Sequence, residues 1–139
     1  MKQVQGSLGF DTEGQGLTEI TGDIARWVAE QGMDTGLLSV YCRHTLASLV
    51  IQENADPDVV QDLEAFFKRL VAEDPKLYRH TAEGADDMPA HIRSALTQTT
   101  LTIPVAGCRM ALGTWQGIYL FEHRRRPHKR ELMVHLTGN

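Results

Sequence analysis

Trp115-Gln116-Gly117-Ile118-Tyr119-Leu120-Phe121-Glu122 is followed, after a basic interruption, by Arg130-Glu131-Leu132-Met133-Val134-His135-Leu136-Thr137. Both runs are rich in apolar, β-branched and aromatic residues and are bounded by glycine or by a charged segment, which reads as two strands. Immediately upstream, 99–105 and 109–112 read the same way, with Gly107, Gly113 and the basic run 123–130 as the turns. Strands gathered at one end of a chain, with helices inserted among the earlier ones, predict an α+β fold with an antiparallel sheet.

Working back toward the N-terminus, 37–42 and 46–51 are two further strands, parted by the polar triplet Arg43-His44-Thr45. Strand alternation sends Leu38, Val40, Cys42 and His44 to one side, so His44 stands at the end of a buried face. Asp56-Pro57 is a strong helix start, because Asp caps free amides and proline at the first position forfeits no hydrogen bond. The helix it opens carries Val59, Val60, Leu63, Phe66, Phe67, Leu70 and Val71 at three- and four-residue intervals, a stripe expected to pack in the core, and it ends before Pro75. An earlier amphipathic helix at 22–31 uses Thr21 as its N-cap and Gly32 as its stop. Residues 2–10 form a first strand, with a loop over 13–16. Residues 74–90 read as a long loop, of a length that is usually functional, and Pro89 begins a last helix reaching about Gln98.

The 139 residues suit one domain spanning the whole chain, and 42% hydrophobic with 23% charged residues is ordinary for a globular protein. A net charge of −4 argues against a general grip on nucleic acid. No apolar run approaches the roughly 18 residues of a membrane span, and the N-terminus lacks a signal-peptide core, so a cytoplasmic protein without a membrane partner is expected. Cys42 and Cys108 are far apart, outside any CxxC pattern, and read as reduced thiols.

Six histidines occur, and His44, His80 and His91 stand in polar, irregular surroundings. No HxH or HxxxH pair pre-arranges a metal site, so a shared site must be assembled by the fold. Glu53 and Asp56 are candidate oxygen ligands or simply a turn and a helix cap, and Asp86 and Asp87 carry the same ambiguity. Residues 113–117 are either a tight turn or a stacking surface in which Trp115 offers a flat face and Thr114 and Gln116 offer hydrogen bonds. Glu122 next to His123 suggests proton transfer or pairing with the arginines. The run from His123 through Arg124 to Arg130 is either an anion-binding patch or a solvated hairpin tip. There is no phosphate-binding glycine loop, GxSxG, HExxH or cysteine cluster, which disfavours ordinary nucleotide hydrolysis, serine hydrolysis and zinc-protease chemistry.

Several segments in order, His44-Thr45-x-Ala47-Ser48-Leu49, Glu53-Asn54-x-Asp56-Pro57, Asp62, His80, the run 83–92 containing Asp87 and His91, and 112–118 with Glu122-His123-Arg124, resemble the YjbQ family. The resemblance implies a two-layer α+β domain with an antiparallel sheet, assembled as a homotrimer, and a polar site near the subunit boundary. It matches His44, His80 and His91 to the family's histidines, and Glu53, Asp62, Asp87, Thr114, Gln116 and Glu122 to its polar set. It further implies a secondary thiamine-phosphate synthase activity that joins a pyrimidine diphosphate to a thiazole phosphate. In that reading His44, His80, His91, Asp87 and Glu122 are catalytic. Thr114, Trp115, Gln116, Arg124 and Arg130 bind the phosphorylated substrate, and His44, His80, His91 and Glu53 hold a divalent ion, zinc or magnesium. The alternative is a protein that binds a phosphorylated metabolite or metal without converting it.

Overall fold

In a computed structural model that describes residues 1–139, the chain forms eight strands and three helices. They are β1 (Lys2–Asp11), β2 (Gly16–Glu19), α1 (Thr21–Glu30), β3 (Thr35–Cys42), β4 (Ala47–Glu53), α2 (Pro57–Leu70), α3 (Asp87–Leu96), β5 (Thr100–Ala106), β6 (Arg109–Met110), β7 (Gln116–Glu122) and β8 (Lys129–Gly138). The fold is α+β with antiparallel pairing throughout, as the C-terminal strand pattern predicts. The strands divide into two sheets where one was expected: a five-stranded sheet in the order β1-β8-β3-β5-β6 and a three-stranded sheet in the order β2-β7-β4. The division follows from the polar triplet at 43–45. It breaks extension after Cys42, so that β3 stays with β8 while β4 crosses to β7.

The core lies between the two sheets, closed at one side by α1. Alternation supplies it: Leu38, Val40 and Cys42 from β3, Leu101, Ile103 and Val105 from β5, and Leu132, Val134 and Leu136 from β8 meet Leu49, Ile118 and Leu120 from the smaller sheet. Ile24 and Val28 of α1, one turn apart, complete the cluster. Each such side chain removed from water contributes about 1.5–3 kcal/mol, so this cluster, to which α1 contributes and α2 and α3 do not, carries the fold.

Two sequence expectations change. Thr21 opens α1 but does not cap it; its hydroxyl accepts the Ile118 N–H and donates to Glu19. The stripe on α2 is only half used. No α2 residue is fully buried, Phe66 and Leu70 remain about half exposed, and the helix meets the smaller sheet through Phe67, edge-on to Phe121 at 5.3 Å, and through Glu64, which accepts the Leu17 N–H at 2.8 Å. Asp56 does cap α2 through the Asp58 N–H. No helix is long and apolar enough to cross a membrane, and both cysteines are free thiols.

Candidate metal centre at the start of α3

The long segment expected over 74–90 holds a single 3₁₀ turn at Pro75–Leu77, and α3 begins at Asp87, two residues before Pro89. That shift matters. With Asp87 in the first turn, Asp87 and His91 are four apart on one helical face. The preceding turn brings His80 onto the same spot: the Gly84 N–H bonds to Thr81 and the Asp87 N–H to Gly84, and Gly84 adopts φ +110°, a conformation that favours glycine.

The outcome is a three-residue cluster. His80 Nε2 donates to Asp87 Oδ2 at 2.6 Å, and His91 Nε2 stands 3.3 Å from the same oxygen. The imidazoles meet edge to face at 5.5 Å, and the three ligating atoms lie within 4.8 Å of one another. Asp87 is fully buried, while His80 and His91 are open to solvent on their outer sides. Asp87 Oδ1 accepts from Arg124 Nη1 at 2.5 Å, and Asp86 accepts from Arg124 Nε and the Arg125 N–H, both at 3.0 Å. Burial acts to raise the Asp87 carboxyl. The His80 hydrogen bond, Arg124 and the two imidazoles outweigh it and hold Asp87 below the usual carboxylate range.

The donor set fits a divalent ion. Two ligands at the usual zinc distance and a tetrahedral angle stand roughly 3.4 Å apart, close to the 3.3 Å between His91 and Asp87, whereas His80, hydrogen-bonded to the carboxylate at 2.6 Å, must draw back to ligate the same ion. Two imidazoles open to solvent over one buried carboxylate leave room for an exogenous ligand, the arrangement of catalytic zinc sites.

The single chain does not bring the other expected ligands here. His44 lies in the loop between β3 and β4, where its Nε2 accepts the Glu131 N–H at 2.8 Å. Burial, then Arg130, lowers its pKa from the ordinary imidazole value. A neutral ring that accepts through Nε2 carries its proton on Nδ1, so His44 offers an N–H donor rather than a free lone pair. Glu53, Thr114, Trp115 and Gln116 lie at the far end of the β4–β7 pair. Ala47 pairs with Glu122 and Glu53 with Gln116, which separates the two ends by about 20 Å. There Trp115 is well exposed, its carbonyl accepts the Asn54 N–H, and Gln116 closes the turn onto the Gly113 N–H. Asp62 is on the exposed side of α2.

Glu122 pairs with an arginine rather than with its sequence neighbour. It is buried and takes both Nε and Nη2 of Arg130, at 2.8 and 2.6 Å, together with the Thr12 hydroxyl at 2.7 Å. Burial would raise its carboxyl, but Arg130, Thr12 and the Arg124 N–H hold it low. Arg124 and Arg130 are therefore internal ion-pair partners, and the exposed part of the basic run is Arg125, Arg126 and Lys129. The His123 ring is fully buried and bonds to Ser48 Oγ at 2.8 Å.

Two features of the site lie outside the sequence expectations. Asp87-x-x-x-His91 was a legible helical pair, hidden by starting the helix at Pro89. Glu73, which accepts from Gln15 and Arg93 and pairs with Arg125, had no local signature.

Residues 7–139 match the model of the UPF0047 protein YjbQ-like family. The chain belongs to the YjbQ family. It is 55% identical to the UPF0047 protein sll1880 of Synechocystis over 99% of its own length and 93% of that protein's. It is 41% identical to the UPF0047 protein YjbQ of Escherichia coli O157:H7, over 96% and 97%. Among solved structures, hypothetical protein APE1520 of Aeropyrum pernix K1 superposes with a TM-score of 0.88 at 28% identity, covering 98% of this chain and 99% of that one.

Proposed function

We propose that this YjbQ protein is a metal-assisted transferase of the secondary thiamine-phosphate synthase type, joining a pyrimidine diphosphate to a thiazole phosphate with release of pyrophosphate. The observation that carries the reading is the convergence of His80, His91 and Asp87 at an open surface beside a fixed guanidinium. A divalent ion bound by those three side chains would neutralise charge on the leaving pyrophosphate. Arg124 holds Asp87 ionised and oriented, so the carboxylate presents one oxygen to both imidazoles. His44, with its proton on Nδ1, is a hydrogen-bond donor for a phosphate oxygen.

This reading expects a homotrimer, because one chain leaves Trp115, Thr114, Gln116 and Glu53 about 20 Å from the histidine end. A neighbouring copy can supply that end. The outer face of the five-stranded sheet carries half-exposed Leu37 and Tyr41 with no helix over it, a surface suited to such a contact.

A second reading is a metal- or phosphometabolite-binding protein without turnover. It is favoured by the engagement of Arg124 and Arg130 with carboxylates, which leaves few free cations for a diphosphate. Metal analysis of the purified protein followed by assay with both precursors, wild type beside His91→Ala, separates the two. The transferase reading expects bound metal and product in the wild type and neither in the variant. Metal without product favours the binding reading. Mixing His91→Ala with Trp115→Ala subunits should restore activity if the two ends belong to one shared site.

A further inference from the structure

Five residues from five parts of the fold line one open depression of about 350 Å³. Gln15 comes from the loop between β1 and β2, Lys68 from the last turn of α2 and Glu73 from the segment after it; Arg93 comes from α3 and Arg125 from the turn between β7 and β8. No apolar side chain lines it. Lys68 and Arg125 are exposed, whereas Arg93 is 3% exposed and forms the inner wall.

Three cations face a single carboxylate there. One Glu73 oxygen accepts from Gln15 Nε2 at 2.7 Å and from Arg93 Nη1 at 3.3 Å, and the other accepts from Arg125 Nη2. Burial acts to raise this carboxyl, but Gln15, Arg93 and Arg125 outweigh it and hold Glu73 below the usual carboxylate range. One negative charge is thus shared between two guanidiniums, and the Lys68 ammonium has no ion-pair partner. Glu64, one turn before Lys68, gives its Oε2 to the Leu17 N–H and does not line the depression. The excess positive charge is felt nearby: burial and then Arg93 push the buried His123 ring down to about 3.

Unused donors remain. Arg93 gives Nε to Phe67 O, Nη1 to Glu73 and Nη2 to Val71 O, which leaves one N–H on each terminal nitrogen. The Arg125 side chain commits only Nη2, so its Nε and Nη1 are free. Two main-chain carbonyls hold the Arg93 guanidinium in place, so an arriving anion orders little on that side of the site.

We propose that this depression binds the dianionic phosphate group of a small hydrophilic phosphate monoester between Lys68, Arg125 and the fixed Arg93. Charge sets the class: three cations against one carboxylate leave an excess that a dianion balances, and guanidiniums match phosphate oxygens in geometry. With no apolar or aromatic wall, the depression has nothing to grip a ring or a hydrocarbon, so the rest of the ligand is polar or stays in solvent. The site shares no residue with the His80, Asp87 and His91 cluster, and the inference does not rest on the proposed reaction.

The test is a calorimetric titration of the full chain with glycerol phosphate, with inorganic phosphate and sodium chloride in parallel, all at constant ionic strength. Glycerol phosphate should bind saturably and be displaced by inorganic phosphate, while chloride gives no saturable heat. Arg125→Ala and Lys68→Ala should each weaken binding about tenfold, with urea midpoints unchanged because both side chains are exposed. His91→Ala should bind as tightly as the wild type. The assignment is overturned by the absence of saturable binding, by equal affinity in the Arg125 and Lys68 variants, or by binding of inorganic phosphate without the monoester. Loss of binding in His91→Ala would also overturn it, by moving the anion to the metal centre.

Discussion

Two histidine clusters flank the segment Glu122–Arg124, and they differ in what their imidazoles can do. At the outer one, His80 and His91 share a buried carboxylate but keep one side in water, so ligands can reach them. At the inner one, His123 is sealed, neutral and fixed by Ser48 and Thr97. The same helix serves both: the start of α3 sets the buried Asp87 beneath the half-exposed His91, while Arg93, Ser94 and Thr97 at its other end reach into the interior. Losses at the inner cluster should therefore appear as stability, and losses at the outer one as binding.

The largest expected effect lies between the clusters. Arg130→Ala strands the buried Glu122 carboxylate without its bidentate partner, and urea unfolding should show a loss of about 3–5 kcal/mol. If the loss is under about 1 kcal/mol, Glu122 is hydrated and the interior is less sealed than the contrast requires.

Acid is the next lever. Unfolded, the His123 side chain titrates near 6.5; folded, its pKa is about 3. Between those values the unfolded chain binds the extra proton, so stability declines as pH falls through that window. By about pH 4.5 the decline should reach about 3 kcal/mol. Glu122 and Asp87, both held below the usual carboxylate range, add to the loss at lower pH still, as they take up protons. Denaturant midpoints measured across this range should fall steadily for the wild type and flatten for His123→Phe.

At the outer cluster, His91→Ala should change folding stability by no more than about 0.5 kcal/mol while weakening zinc binding by about 100-fold or more, read by competition with a chelating dye. A large stability loss without metal would make the cluster structural. The smallest effect belongs to the exposed pair Arg43–Glu131, 2.6 Å apart and about half exposed on both sides. Arg43→Ala should cost about 0.2–1 kcal/mol and less at high salt.

The C-terminal strands, α1 and α2 were legible because their periodicity is local and uninterrupted. β2 was not: Gly16-Leu17-Thr18-Glu19 has one large apolar residue, and it becomes a strand only by pairing with 119–122 of β7. The division into two sheets was equally hidden, since it depends on which partner β4 finds across the molecule. Of the site, His80, His91 and Asp87 could be named from their polar setting and the family resemblance. Their meeting depends on the Gly84 turn and the register of α3. His44 and Glu53 looked equivalent to them in sequence, but the chain carries one to a backbone amide and the other to the far end of a strand.

The thin attachment of α2 sets an order of events within the native protein. A helix with no fully enclosed side chain, held to its sheet through the Phe67–Phe121 contact and the Glu64–Leu17 hydrogen bond, opens at a lower free energy than the strands beneath it. Its amide protons should exchange with heavy water well before those of β8, and each opening briefly bares the outer surface of β4 and β7.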